Sequence, residues 1–141
     1  TLVSVGVMGA MGAFEAADRS LARDVLAAHA LSMAESRVEA KRAAPWRQLL
    51  AEDLDHDGVP DLTMHDDGTG GDRMAGDGIY SAMLEQHGVT VVWTVAARHS
   101  ESLVNSGAIL IEARGLYRAS GGEREVRLAT LRSNPAFAGN H

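Results

Sequence analysis

At 141 residues, 45% of them hydrophobic, the chain has the size of one ordinary domain with one modest core, which argues against a multi-domain reading. A net charge of -6 argues against a surface that tracks nucleic-acid phosphates, and the absence of cysteine excludes a disulfide framework, a thiolate metal site and a thiol nucleophile. Aromatic residues make up only 4% while glycine numbers 15, a balance that favours close backbone approaches over a large aromatic core.

The chain opens on an apolar run, Thr1 to Phe14, with neither the basic flank nor the small-residue cleavage site of a secretory signal. As a helix this run would reach about 21 Å, whereas about 20 residues are needed to cross a bilayer unaided. Gly6, Gly9 and Gly12 recur among Val5, Val7, Met8 and Met11, so a helix here carries a slowly rotating row of missing side chains that other backbones can approach. Each glycine costs an isolated helix about 1 kcal/mol relative to alanine. The segment is therefore expected to gain its stability from packing, either in a core or among copies of itself. In the second case Val5, Gly6, Met8, Gly9, Gly12 and Phe14 are the assembly surface.

From Phe14 to Ala44 the sequence is built almost wholly from strong helix formers, which predicts one long helix. Leu21, Val25 and Ala28, then Leu31, Ala34 and Val38, mark its apolar side, with Arg23, Arg37, Glu39 and Lys41 between them. Pro45 ends it and is placed to open a short second helix, Trp46 to Glu52. Strand signals follow the acidic middle of the chain at Ile79 to Leu84, Val89 to Ala96, Ala108 to Arg118 and Glu125 to Arg132, the last two as a hairpin around Ser120-Gly121-Gly122. Val126, Leu128 and Leu131 share a buried face only if a bulge interrupts the strand near Ala129. The expected fold is α+β: a long N-terminal helix (1–44) continuing into a β-rich head (45–133), where it packs on an antiparallel sheet of three to four strands. An acidic Gly/Asp-rich loop (53–78) lies between helix and sheet, and a polar tail (134–141) frays.

In the acidic loop Asp53, Asp55 and Asp57 alternate, Gly58 follows, and Asp61 comes four residues after Asp57. Alternate carboxylates on a tight turn supply the oxygens that calcium demands, with the carbonyl of Val59 as a further ligand. Met64 stands where an EF-hand requires Glu, and the run resembles the shorter calcium loops of thrombospondin type 3 and dockerin repeats. A second run, Asp66-Asp67-Gly68 to Asp72 and on to Asp77-Gly78-Ile79-Tyr80-Ser81, resembles a connecting element of secreted β-sandwich modules. Its carboxylates, Asp66, Asp67, Asp72 and Asp77, can either hold a second cation or be satisfied by backbone N–H groups in Asx-turns. Residues 53–77 carry eight Asp against one Arg, so the acidity of the chain is the acidity of this loop. His56 and His65 have no organised partner at helical or strand spacing and read as exposed loop residues.

No phosphate-binding loop, nucleophile elbow or His-Glu-x-x-His pair is present, and the Ser and Asn residues between Ser100 and Ser106 read as a hairpin connection. Trp46 and Trp93 read as core anchors. The chain is not expected to be an enzyme.

Three stretches carry a family resemblance: Thr1-Leu2-Val3 before an apolar run, Ala30 to Glu39 with its Ala-Glu-Ser-Arg-Val-Glu core, and the final strand Arg124 to Ser133. In this order they resemble type IV pilins and the pseudopilins of type II secretion, especially the minor members. In that family the mature chain begins with a methylated Phe, followed by Thr-Leu-(Ile or Val)-Glu. Here no Phe precedes Thr1, and Ser4 stands where the Glu belongs. Either the subunit does without the pairing of that Glu with a neighbour's N-terminal amine, or residues are missing near Thr1 to Ser4. The resemblance implies a structural subunit of an extracellular filament or of a bacterial cell envelope, seated in the inner membrane before assembly. Its partners would be copies of itself or related pilins. The competing expectation is a monomeric secreted calcium-binding adhesion module.

Overall fold

In a computed structural model, residues 14–97 and 102–138 are described, with side chains for 24–97, 102–103 and 105–136. The fold is α+β. Helix α1 spans Phe14–Ala43 and stops just short of Pro45, whose ring disfavours helical backbone in the residue before it. Lys41 and Arg42 lie in its last turn, where cations complement the helix dipole.

Beyond it the expected second helix does not form. A single 3-10 turn, Trp46–Gln48, gives way to strand β1, Ala51–Glu52, which pairs antiparallel with β2, Leu62–Thr63. The chain extends instead because its carbonyls find partners across the loop: Leu50 accepts the Met64 N–H at 2.8 Å and Glu52 the Asp61 N–H at 2.6 Å, while the Lys41 ammonium takes the carbonyls of Leu49 and Ala51.

Four strands, β3 (Ile79–Gln86), β4 (Val89–Ala97), β5 (Ala108–Ala119) and β6 (Gly122–Ser133), form an antiparallel meander in chain order. Two-residue turns set the outer registers. His87 and Gly88 have φ of 52° and 81°, as a type I′ turn requires, and close β3 onto β4 so that Gln86 faces Val89. Ser120 and Gly121 close β5 onto β6, with Ala119 opposite Gly122.

Helix α1 packs on one face of this sheet, against β4, β5 and β6. From β4 and β5 that face carries Val89, Val91, Trp93, Val95, Ile109, Ile111, Ala113 and Tyr117, all buried. The helix answers with Ala27, Ala30, Met33, Ala34 and Val38. Small residues let the two layers approach: at Gly115 an added Cβ would lie 2.7 Å from the Ala30 carbonyl oxygen.

Three sequence-based placements are corrected. Of the expected buried side of α1, Leu31, Ala34 and Val38 do pack in the core, whereas Val25 and Ala28 are exposed and Arg37 and Lys41 are buried. Strand β6 has no bulge, because Thr130, Ala129 and Leu128 pair in unbroken register with Ile111, Glu112 and Ala113. Leu131 consequently falls on the outer face and is 67% exposed, while Arg132 takes the helix-facing position, stacking over Trp46 and donating to the Lys41 carbonyl oxygen at 2.7 Å. Nor is the start of the tail frayed. Asn134 is buried, with its amide donating to the Ser106 carbonyl oxygen at 2.9 Å, and Pro135–Ala138 form a helical turn, α2.

The expected assembly residues Val5, Gly6, Met8, Gly9 and Gly12 lie outside the described residues, and Phe14 is described by its backbone alone. Among the described residues no helix is long and apolar enough to cross a membrane.

Candidate metal centre

The acidic stretch between β1 and β3 is ordered by its own carboxylates. Pairing of β1 with β2 closes the loop, with the Asp61 N–H donating to the Glu52 carbonyl oxygen at 2.6 Å. The Asp61 carboxylate reaches back to accept the Leu54 N–H at 2.6 Å, and Asp53 accepts from Asp57 at 3.1 Å and Gly58 at 2.8 Å. The turn needs left-handed backbone at Gly58, φ 89°, and at His56, φ 61°. As a result Asp53, Asp55 and Asp61 each offer a carboxylate oxygen, all within 4.8 Å of one another.

One carboxylate of the expected set does not join them: Asp57 turns to the Val59 N–H at 2.8 Å, an Asx-turn.

The second run closes differently, around one residue. Asp66 accepts three N–H bonds, from Gly76 at 2.8 Å, Asp77 at 3.2 Å and Gly78 at 2.9 Å, and so ties together the ends of the segment 66–78. Asp72 is buried and accepts the Gly68 N–H at 2.6 Å. The segment leans on the outer face of the sheet: a Cβ at Gly71 would meet a Val92 methyl at 2.4 Å, and His65 pairs through its backbone with Ser81 of β3. Here Asp66, Asp72 and Asp77 bring carboxylate oxygens within 4.8 Å of one another. Asp67 is committed elsewhere, to the Thr69 hydroxyl at 2.6 Å and the Thr69 N–H at 3.0 Å.

The electrostatics favour the ionised form that a cation requires. At Asp53 desolvation acts to raise the carboxyl, and the N–H bonds from Gly58 and Asp57 outweigh it, so the group titrates below its ordinary range. At Asp66 desolvation is likewise outweighed by the N–H groups of Gly78, Gly76 and Asp77. The Thr69 hydroxyl and N–H lower Asp67. An ionised carboxylate has about four lone-pair positions, so these bonds leave acceptor capacity for an ion. Each cluster is thus a group of three carboxylates that could in principle hold a metal ion. His56 and His65 are exposed and belong to neither cluster.

Sequence reasoning missed a buried charge cluster directly beneath the first loop. Glu52, the residue before Asp53, is 2% exposed. It pairs with Lys41 at 2.6 Å and Arg37 at 3.3 Å, and it accepts the Trp93 indole N–H at 2.6 Å. Arg37 also lies over the Trp93 ring, its guanidinium carbon 5.4 Å from the centroid. Burial pushes the Lys41 ammonium below the ordinary lysine range, and Glu52 acts against that shift. This cluster ties α1 and the sheet core to the residue on which the acidic loop is hung. A cleft of about 250 Å³ opens beside it, lined by Ser32, Ser36, Leu54, His56 and Leu84, with Arg37 at its wall already held by Glu52. Compared with known proteins, the chain matches no protein-family model, no curated protein and no solved structure.

Proposed function

We propose that this chain is a structural subunit of a type IV pilus-like filament, extracellular or held in a bacterial cell envelope, and that calcium in the acidic loop stabilises its head. The observation that carries the reading is the division of α1. Among its described side chains, the apolar ones in the core begin at Leu26 and run to Val38, whereas Asp24 and Val25 are exposed, Val25 by 66%. The helix itself starts at Phe14, about 18 Å along the axis before Leu26, directly after the glycine-bearing apolar segment. A helix committed to a head at one end and preceded in sequence by the apolar run at the other fits a subunit whose remaining partners are copies of itself or related pilins.

Deleting Thr1 to Asp24 is expected to leave a folded head and to abolish filaments in electron micrographs of the purified assembly. Gly9→Leu in the full chain should weaken assembly while sparing the head, because overpacking costs about 1–3 kcal/mol at a close contact and every subunit of a helical polymer repeats it. Undiminished polymerisation of the truncated chain would overturn the reading. Sedimentation of the full chain as a soluble monomer would favour the secreted adhesion module.

Calcium gives a separate measurement. An ion bound only by the folded loop stabilises it by about 2.7 kcal/mol at a hundredfold excess over its dissociation constant. Chelation should therefore lower the thermal midpoint of the head and open residues 53–77 to protease. Asp55→Ala and Asp61→Ala should reproduce the chelator effect, since both carboxylates join the first cluster. Asp57→Ala should cost only its Asx-turn, and His56→Ala should leave calcium binding intact. A calorimetric transition unchanged by calcium, with no heat of binding, would show that the carboxylates serve the backbone alone.

A further inference from the structure

A pair of imidazoles differs in chemistry from both acidic clusters and belongs to neither. His29 projects from α1 and His87 from the β3–β4 turn, and their rings meet edge to face with centroids 5.5 Å apart and planes at 64°. The His29 Nε2 is buried and has no hydrogen-bond partner, a costly state for a ring nitrogen, and one that an ion would relieve. His87 is exposed and holds a left-handed φ of 52°, which only the tight turn makes necessary.

The separation is informative. A divalent transition-metal ion binds imidazole nitrogen at about 2.0–2.1 Å, which puts each ring centroid about 3.2 Å from the ion and two tetrahedrally disposed centroids about 5.2 Å apart. The observed 5.5 Å is within a few tenths of an ångström of that figure. Edge-to-face stacking alone accounts for the ring contact, but it leaves Nε2 of His29 unpaired.

We infer that His29 and His87 together form a site for one divalent transition-metal ion of the Zn2+ or Cu2+ class, with water on the exposed side of His87 filling the remaining positions. Nitrogen ligands distinguish it from the carboxylate clusters, which suit hard cations. The ion would join α1 to the β3–β4 turn at the end of the sheet where the helix first packs, Gly88 lying against Leu26. The inference does not rest on the filament reading.

The test is Cu2+ binding to the full chain, in excess Ca2+ so that the acidic clusters are filled, followed by electron paramagnetic resonance. One Cu2+ per chain with two-imidazole ligation is expected. His87→Gly should lose that signature without loss of fold, because glycine suits the positive φ of the turn. His29→Asn should lose it too, whereas His56→Ala and His65→Ala should retain it. Added Zn2+ should raise the thermal midpoint of the unaltered chain and leave that of His87→Gly where it was. Absence of Cu2+ binding, or a two-imidazole signal that persists in His87→Gly, would overturn the site.

Discussion

Replacing Glu52 by glutamine is expected to destabilise the protein by about 3–5 kcal/mol, the usual cost of removing one partner from a buried ion cluster. Glu52 is the only acid in contact with Arg37 and Lys41 among the described residues, and the side chains of Lys41 and Glu52 are exposed by 1% and 2%. The substitution leaves two cations in the core facing a neutral amide. It keeps the shape and an oxygen for the Trp93 indole, so the loss reports on charge and not on volume. A pH dependence should accompany it. Burial already lowers the Lys41 ammonium, and the variant lacks the Glu52 charge that opposes that shift. The folded variant would then bind fewer protons than its unfolded chain between the depressed value and the ordinary lysine value of 10.5, so its stability should rise with pH across that window. Urea unfolding at several pH values checks both statements. A loss below about 1 kcal/mol would mean that the cations reach water. Converting all three charges together to apolar residues of similar volume should cost far less than Glu52→Gln, because desolvation and Coulomb attraction nearly cancel in such clusters.

Much of the fold was legible because its elements are long and follow one period. The helix formers from Phe14 to Ala43 and the β-branched run Val89 to Val95 declare themselves locally, and Ser120-Gly121-Gly122 marks where the last hairpin closes. What escaped is what depends on partners distant in sequence. Arg37 and Lys41 read as solvated because charge usually is, and they become buried only where Glu52 and the carbonyls of Leu49 and Ala51 meet them. The same blindness produced the bulge in β6. Leu131 looked like a core residue and Arg132 like a surface one, yet the Arg132 guanidinium lies over the Trp46 ring and donates to the Lys41 carbonyl. In the acidic loop the Asp-x-Asp-x-Asp-Gly spacing announced a tight turn. Which carboxylates converge was not readable, since Asp57 and Asp67 are drawn off by the N–H groups of Val59 and Thr69. Strands β1 and β2, two residues each, are too short to show any period.

Gly115→Val should loosen the seat of α1 on the sheet and cost about 3 kcal/mol or more, at the upper end of what overpacking a core does. Gly115 lies on β5 opposite Val126, under the helix, where an ideal Cβ would stand 2.7 Å from the Ala30 oxygen and 2.9 Å from the Ala30 Cβ. Neither atom belongs to a flexible side chain, so no rotamer change relieves the clash and the helix itself must lift. Lifting it opens space over Ala27, Ala34 and Val38 and lengthens the contacts of Arg37 and Lys41 with Glu52. Gly115→Ala should show the same effect in smaller measure, whereas Gly58→Ala, where nothing lies within 4 Å, should show only the strain of its positive φ. Thermal unfolding of the three variants separates the two causes. If Gly115→Val unfolds no more readily than Gly58→Ala, the helix is free to shift, and close packing at Ala30 is not what holds α1 to the sheet.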